Sequence, residues 1–217
     1  MTMPGTTLIH GRDASNPAGS LGKVDVAWGY IGGMTPHKWT DAQWEAQEAR
    51  YRLPIYVYSQ IIHAVDAAVE TIAWLTAHKV PHGTLVMLDM ETQIDVSWVD
   101  SYSAHVASAG WRICVYGSAG FVFGNPVRSG YVVADYNGVA HLYQHAHVIG
   151  TQYEADVTIP GIGVVDVSVM LADLPLWDTQ PSKPPGPPAW HGLVMAHLDT
   201  INRCTDDVAA ILRAHGI

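Results

Sequence analysis

Asp89 and Glu91 close an apolar run, Leu85-Val86-Met87-Leu88-Asp89-Met90-Glu91-Thr92, in which six of the eight residues suit a buried strand. Side chains alternate along a strand, so the two carboxylates face the same way, with Cα atoms roughly 6.5–7 Å apart. Ionised carboxylates are rarely buried without a partner. Like charges at that spacing push their pKa values apart, which gives one site both a proton donor and an anion. The pair therefore points to acid–base chemistry, and the plain alternative is a strand end whose acids are solvated or salt-bridged.

Eight short apolar stretches must position such a pair: Thr7–Asp13, Val24–Gly32, Leu53–Ser59, Leu85–Glu91, Arg112–Ser118, Gly130–Tyr136, His141–His145 and Gly163–Val169. Helical patterns lie between several of them. Thr40-Asp41-Ala42-Gln43 reads as a capping box opening a helix to about Arg50. Ala64 to Lys79 carries Val65, Ala68, Val69, Ile72, Trp74 and Leu75 close to helical period, stopped by Pro81 and Gly83. Val96 to Ala109 is a third helix, closed by Gly110. Strand–helix alternation with near-continuous apolar strands predicts an α/β fold with a parallel sheet and helices outside.

Eight strands in about 170 residues predict a closed, TIM-like (β/α) barrel. It should be lopsided, with helices mainly in the first half, because Tyr136 to His141 is loop-length and His145 to Gly163 reads as irregular. Active sites of such barrels lie at the C-terminal strand ends. Asp13, Asp89 with Glu91, and Tyr136 fall there, with Asp166 on the last strand. Four acids arriving from three separate strands point to a site more strongly than one pair does.

The barrel is expected over residues 1–176, followed by a Pro-rich linker over 177–190. Pro181-Ser182-Lys183-Pro184-Pro185-Gly186-Pro187-Pro188 reads as stiff and extended. Residues 191–217 are expected to form a helical tail. Val194, Leu198, Ile201, Thr205, Val208 and Leu212 repeat at spacings of 4, 3, 4, 3 and 4, an a/d seam that could carry a homo-oligomer or an assembly partner.

The net charge of −9, from 11 basic against 20 acidic residues, disfavours nucleic acid or an anionic membrane as main partner. No apolar run reaches the length of a membrane span. Cys114 and Cys204 lie far apart, so no disulfide framework is expected. Met1 to His10 lacks a basic segment followed by a long apolar stretch, so a signal peptide is not expected. His141, His145 and His147 have a spacing a metal could use, but no cysteine or carboxylate motif joins them, and no metal or cofactor is expected.

Six motifs stand near the strand ends: Asp13-Ala14-Ser15, Leu88-Asp89-Met90-Glu91, Tyr116-Gly117-Ser118, Val133-Ala134-Asp135-Tyr136, Leu142-Tyr143-Gln144-His145 and Val165-Asp166-Val167. In this order and spacing they resemble the family twenty-five glycoside hydrolases, the Chalaropsis-type lysozymes that cut peptidoglycan, over about Leu8 to Leu174. They are similar to that family's Asp-x-Ser, Asp-x-Glu, aromatic strand end, Ala-x-Tyr, aromatic-Gln-aromatic and Val-Asp-hydrophobic elements on strands one, four, five, six, seven and eight.

The resemblance implies Glu91 as general acid, Asp89 orienting or charge-balancing it, and Asp13 and Asp166 completing an acidic floor. Tyr56, Tyr58, Tyr116, Tyr136 and Tyr143 would line the groove and offer flat faces to sugar rings. Whether the outcome is inverting, or retaining by substrate assistance, stays open. Two departures stand out. The second strand, Ala27-Trp28-Gly29-Tyr30-Ile31-Gly32-Gly33, lacks the family's Lys-and-acid pattern, and Asn16-Pro17 follows Asp-x-Ser where a Gln is usual. Tyr30-Ile31-Gly32-Gly33 and Leu53-Pro54-Ile55-Tyr56-Val57 look closer to glycoside-hydrolase-like relatives.

The expected function is a peptidoglycan-degrading muramidase, phage-encoded, made in the cytoplasm and acting at the cell wall or as part of a phage particle. The alternative is a catalytically weak or inactive barrel that binds cell wall or serves as a structural subunit of a phage tail.

Overall fold

Strands whose two faces are both apolar can sit between an inner and an outer packing layer. That is the arrangement in the computed structural model of the protein, which describes residues 7–180. Strands β1 (Leu8–Asp13), β2 (Val26–Gly33), β3 (Tyr51–Val57), β4 (Leu85–Asp89), β5 (Arg112–Ser118), β6 (Tyr131–Ala134), β7 (Val148–Ile159) and β8 (Gly163–Leu171) form one sheet. Its order is β2-β1-β8-β7-β6-β5-β4-β3, and pairing of β2 with β3 closes it into a barrel. Inside, Val26, Trp28, Leu53, Ile55, Leu85, Met87, Cys114, Val132, Ile149 and Met170 form one core. Outside, Ala27, Ile31, Val86, Leu88, Ile113 and Val115 meet Ala67, Ala68, Leu75, Val99, Tyr102 and Val106 of the helices in a second. The indole of Trp28 fits the interior because Gly11 faces it; a Cβ there would stand 2.6 Å from Trp28 Nε1.

The helices are α1 (Asp41–Glu45), α2 (Ala64–Ala77), α3 (Val96–Ser108) and the single turn α4 (Ala119–Val122), so the expected lopsidedness holds. The Thr40–Gln43 capping box forms, but α1 stops at Glu45 rather than near Arg50. There Gln47 turns back to bind Leu21 N–H (2.9 Å) and the Gly19 carbonyl (3.1 Å), which redirects the chain. Helix α2 buries Ala64, Ala67, Ala68, Thr71, Trp74 and Leu75, while Val65 and Val69, expected on the buried face, are exposed. Small alanines let the helix lie close to the sheet, and close backbone approach outweighs side-chain apolarity in choosing the face.

Three expectations are corrected. The seventh strand is not His141–His145, which is a loop, but Val148–Ile159. The sheet is not wholly parallel: β8 runs antiparallel to both β7 and β1. The hairpin explains the misreading. The distal half of β7 alternates polar-out and apolar-in, as antiparallel strands with one wet face do, so it shows no continuous apolar run. Trp177 and Asp178, placed in the linker by sequence, form β9, which pairs with Tyr51 and Arg52 of β3. The rest of the expected linker and the 191–217 tail lie outside the described residues. Among the described residues, no helix is long and apolar enough to cross a membrane.

Candidate active site

Inward-facing positions at the C-terminal end of the parallel strands build a pocket of about 220 Å³. Asp13 ends β1, Tyr30 is the third inward residue of β2 after Val26 and Trp28, and Asp89 ends β4 opposite Tyr116. Because β8 is antiparallel, Asp166 sits midway along its strand and is nevertheless paired with Asp13. Met90 N–H donates to the Tyr116 carbonyl (2.8 Å), so the chain stays in phase beyond β4 and Glu91 faces the same pocket as Asp89. That contact needs Gly117, whose φ is +149° and whose added Cβ would lie 2.6 Å from the Met90 carbonyl oxygen. The structure therefore brings Asp13, Asp89, Glu91 and Asp166 together, with Tyr116 and Tyr136.

At the centre lies Gln152, which sequence reading missed. Its amide nitrogen donates to Asp13 Oδ1 (3.1 Å) and Asp166 Oδ2 (3.2 Å). Its carbonyl accepts from the Tyr136 hydroxyl (3.0 Å) and from the Tyr116 hydroxyl. Two carboxylates on one side and two hydroxyl donors on the other fix which way round the amide lies. Tyr30 adds a hydroxyl donor to Asp13 Oδ2 (3.4 Å). A bulge in β7 puts Asp156 at φ +56°, a conformation Asp tolerates, and aims its N–H at Asp166 Oδ1 (2.8 Å).

Signals for these residues existed. Tyr30 has the parity of Val26 and Trp28. Gln152 is a polar residue at the end of the apolar Val148-Ile149-Gly150-Thr151 stretch and is legible once β7 is placed there; Leu142-Tyr143-Gln144-His145 does not occupy that strand.

Every carboxyl in the pocket has its pKa raised. Burial does most for Asp13, and the charges of Asp166 and Glu91 add to it, against the hydrogen bonds from Gln152 and Tyr30. Burial again leads for Asp89, followed by the charges of Glu91 and Asp13. Glu91, at the exposed rim, is raised by partial burial and by Asp166, with the Tyr116 hydroxyl opposing. Asp166 is raised by burial, against the Asp156 N–H. Burial also raises Tyr30 and Tyr116, which remain hydroxyl donors. The pocket lining contains no Lys, Arg or His. The result is a rim carboxyl that keeps its proton above the usual range, over a floor of buried acids held by neutral donors.

Three of the expected groove tyrosines are elsewhere. Tyr56 and Tyr58 have the opposite parity to Leu53 and Ile55, which fill the barrel, so they face the helices. Tyr56 packs on Tyr102 (5.5 Å between centroids) and donates to Glu70 Oε2 (2.9 Å). Tyr58 meets Trp98 edge-on (4.9 Å) and donates to Asp95 Oδ2 (3.1 Å), the residue capping α3. Tyr143 lies in the loop before β7 with its ring 5.8 Å from Phe123. Replacing Tyr56 by Phe is accordingly expected to cost about 0.5–1.5 kcal/mol of stability, one hydrogen bond's worth, with no change in turnover. A melt compared with a rate assay checks this, and a tenfold loss of rate would put Tyr56 back in the site.

His141 and His145 bind backbone carbonyls of Val139 and Ala146, and His145 stacks on Phe123. Among the described residues, no group of three or more His, Cys, Asp or Glu is placed to hold a metal ion. Cys114 is buried in the barrel, where burial pushes its thiol up and leaves it inert.

No protein-family model and no curated protein matches the sequence. Solved structures match in fold. An uncharacterized B. stearothermophilus protein gives a TM-score of 0.57 at 17% identity, covering 76% of this chain and 97% of that one. The catalytic domain of endolysin ply40 from bacteriophage P40 of Listeria monocytogenes gives 0.56 at 14% identity, covering 77% and 95%. The virulence factor GHIP of Streptococcus pneumoniae, a glycosyl hydrolase 25, gives 0.50 at 14% identity, covering 69% and 77%. The fold is thus the mixed α/β, eight-stranded barrel of this endolysin domain and of the glycosyl hydrolase 25 protein, which is the fold the sequence resemblance implied.

Proposed function

We propose that the protein is a peptidoglycan-degrading glycoside hydrolase of the lysozyme, or muramidase, type. The convergence of Asp13, Asp89, Glu91 and Asp166 on one pocket carries this reading. Glu91 is the general acid: it is reachable from solvent, and its raised pKa keeps a proton available for the glycosidic oxygen as the bond to the anomeric carbon breaks. Asp89, which faces the same pocket, orients Glu91. Asp166, tied to the buried Asp13 by Gln152, stabilises the positive charge that develops on the ring. Tyr116 and Tyr136 offer ring faces and hydroxyls to the sugar.

Peptidoglycan is the substrate class we favour, supported by the endolysin of a bacteriophage among the proteins of like fold. A phage source, and action at the cell wall or within a phage particle, belong to the same proposal. Incubation of the purified protein with walls from several bacteria, followed by identification of the new reducing ends, tests it. Muramic acid at those ends is the expected result, and release of no sugar from any wall would overturn it.

The pH profile gives a second check. Glu91 must be protonated, so kcat/KM is expected to fall as pH rises through its elevated pKa. Asp166 must be ionised, so the rate is expected to fall again as pH drops through its own raised value. The profile is therefore bell-shaped, with Asp166 setting the acidic limb and Glu91 the alkaline one. A rate flat from acidic to neutral pH would count against carboxylate catalysis.

A second reading, a wall-binding or structural module of a phage tail, is supported by Asp13 and Asp89. Both are buried and held toward their neutral forms, which suits a binding floor as well as a catalytic one. Assembly would then run through Val194, Leu198, Ile201, Val208 and Leu212, which lie outside the described residues.

A further inference from the structure

The donors in the pocket are unevenly shared. Asp13 receives the Tyr30 hydroxyl and the Gln152 amide, and Asp166 receives the same amide and the Asp156 N–H. Asp89 is only 7% exposed, lines the pocket, and its Oδ1 is buried without a hydrogen-bond partner. A buried acceptor left unpaired is costly, and here it stands among three other carboxylates with no cationic side chain in the lining. The occupant that best meets these conditions brings both hydrogen-bond donors and positive charge. The pocket, at about 220 Å³, is small beside the roughly 300–1,000 Å³ of drug-sized sites, so the occupant is a single sugar rather than a long segment.

We propose that this pocket takes a glycan unit bearing a free amine, a protonated 2-amino-2-deoxy sugar without its acetyl group, with the ammonium seated on Asp89. An acetamido N–H would offer Asp89 one neutral donor. An ammonium offers three donors and a full charge, which offsets the repulsion of Asp13, Glu91 and Asp166 and so draws Asp89, neutral in the empty pocket, into its ionised form. The proposal rests on the glycan-hydrolase reading and narrows it to de-N-acetylated stretches of the polymer.

Direct binding tests it without requiring turnover. Fully de-N-acetylated chitosan tetraose and fully acetylated chitotetraose are titrated against the full-length protein at mildly acidic pH, with calcium chloride as a separate titrant. The amine form is expected to bind at least tenfold more tightly and to lose most of that advantage in Asp89→Asn or at high salt. Equal or tighter binding of the acetylated form overturns the proposal, as does failure of either sugar to bind. Saturable calcium binding that depends on Asp89, without a preference between the sugars, overturns it in favour of a metal. Should Asp89→Asn fail to fold, Asp166→Asn, which removes a neighbouring charge, is expected to narrow the same preference; an unchanged preference there also overturns the proposal. Muramic acid released from fully acetylated walls, with no amine preference, would leave the hydrolase reading standing and remove only this inference.

Discussion

Replacing Glu91 by Gln is expected to lower wall-hydrolysing turnover by about 10²–10⁴-fold, the usual cost of losing a positioned general acid. The substitution removes the transferable proton and keeps the shape. Glu91 stands beyond the end of β4 at the solvent-exposed rim, so the fold has little to lose. Relief of its repulsion with Asp89 and Asp13 should even help, since Glu91 raises the pKa of both. The expected pattern is therefore an unchanged or slightly higher melting temperature with loss of kcat. The alkaline limb of the pH profile should vanish with it. A Glu91→Gln protein of wild-type rate would exclude Glu91 as the acid and leave Asp89, its neighbour in the pocket, as the next residue to test.

Changing Gln152 to Glu is expected to cost about 3–5 kcal/mol of stability at neutral pH, the range seen when a buried charge loses its compensation. The side chain is nearly the same size, yet two donated hydrogen bonds are lost and a fifth carboxylate enters between Asp13 and Asp166. The sign of the pH dependence follows from linkage. Gln152 lowers the pKa values of Asp13 and Asp166, so its loss moves folded-state values that are already raised still further up. A carboxyl raised on folding contributes stability that is present below its unfolded pKa and is lost as pH rises through its folded pKa. The penalty of Gln152→Glu should therefore be smallest near pH 4, about the unfolded value of these acids, and grow toward neutrality. Melting curves across that range read it directly. A penalty equal at pH 4 and pH 7 would mean that Gln152 acts by packing and that the amide does not clamp the acids.

The sequence by itself determined the barrel and the main members of its acid cluster. Short apolar runs ending in acids, separated by capped helical patterns in the first half only, suffice for that. The spacing of hydrophobic residues and the capping box at Thr40 are local signals, and local physics reads them. Asp89 and Glu91 were legible for the same reason, since two residues on one strand share a face whatever surrounds them.

Tertiary structure decided the rest. In β3 both faces are apolar, so nothing in the pattern says whether Tyr56 and Tyr58 or Leu53 and Ile55 fill the barrel; closure of the sheet makes that choice. In α2 the alanine face won over Val65 and Val69 because the helix must approach the sheet closely. The antiparallel turn of β8 brought Asp166 opposite Asp13 from mid-strand. Gln152 became the centre of the site only because β1, β5, β7 and β8 meet around it in the closed barrel, and a clamp between acids from the first and eighth strands leaves no mark on the residues beside it.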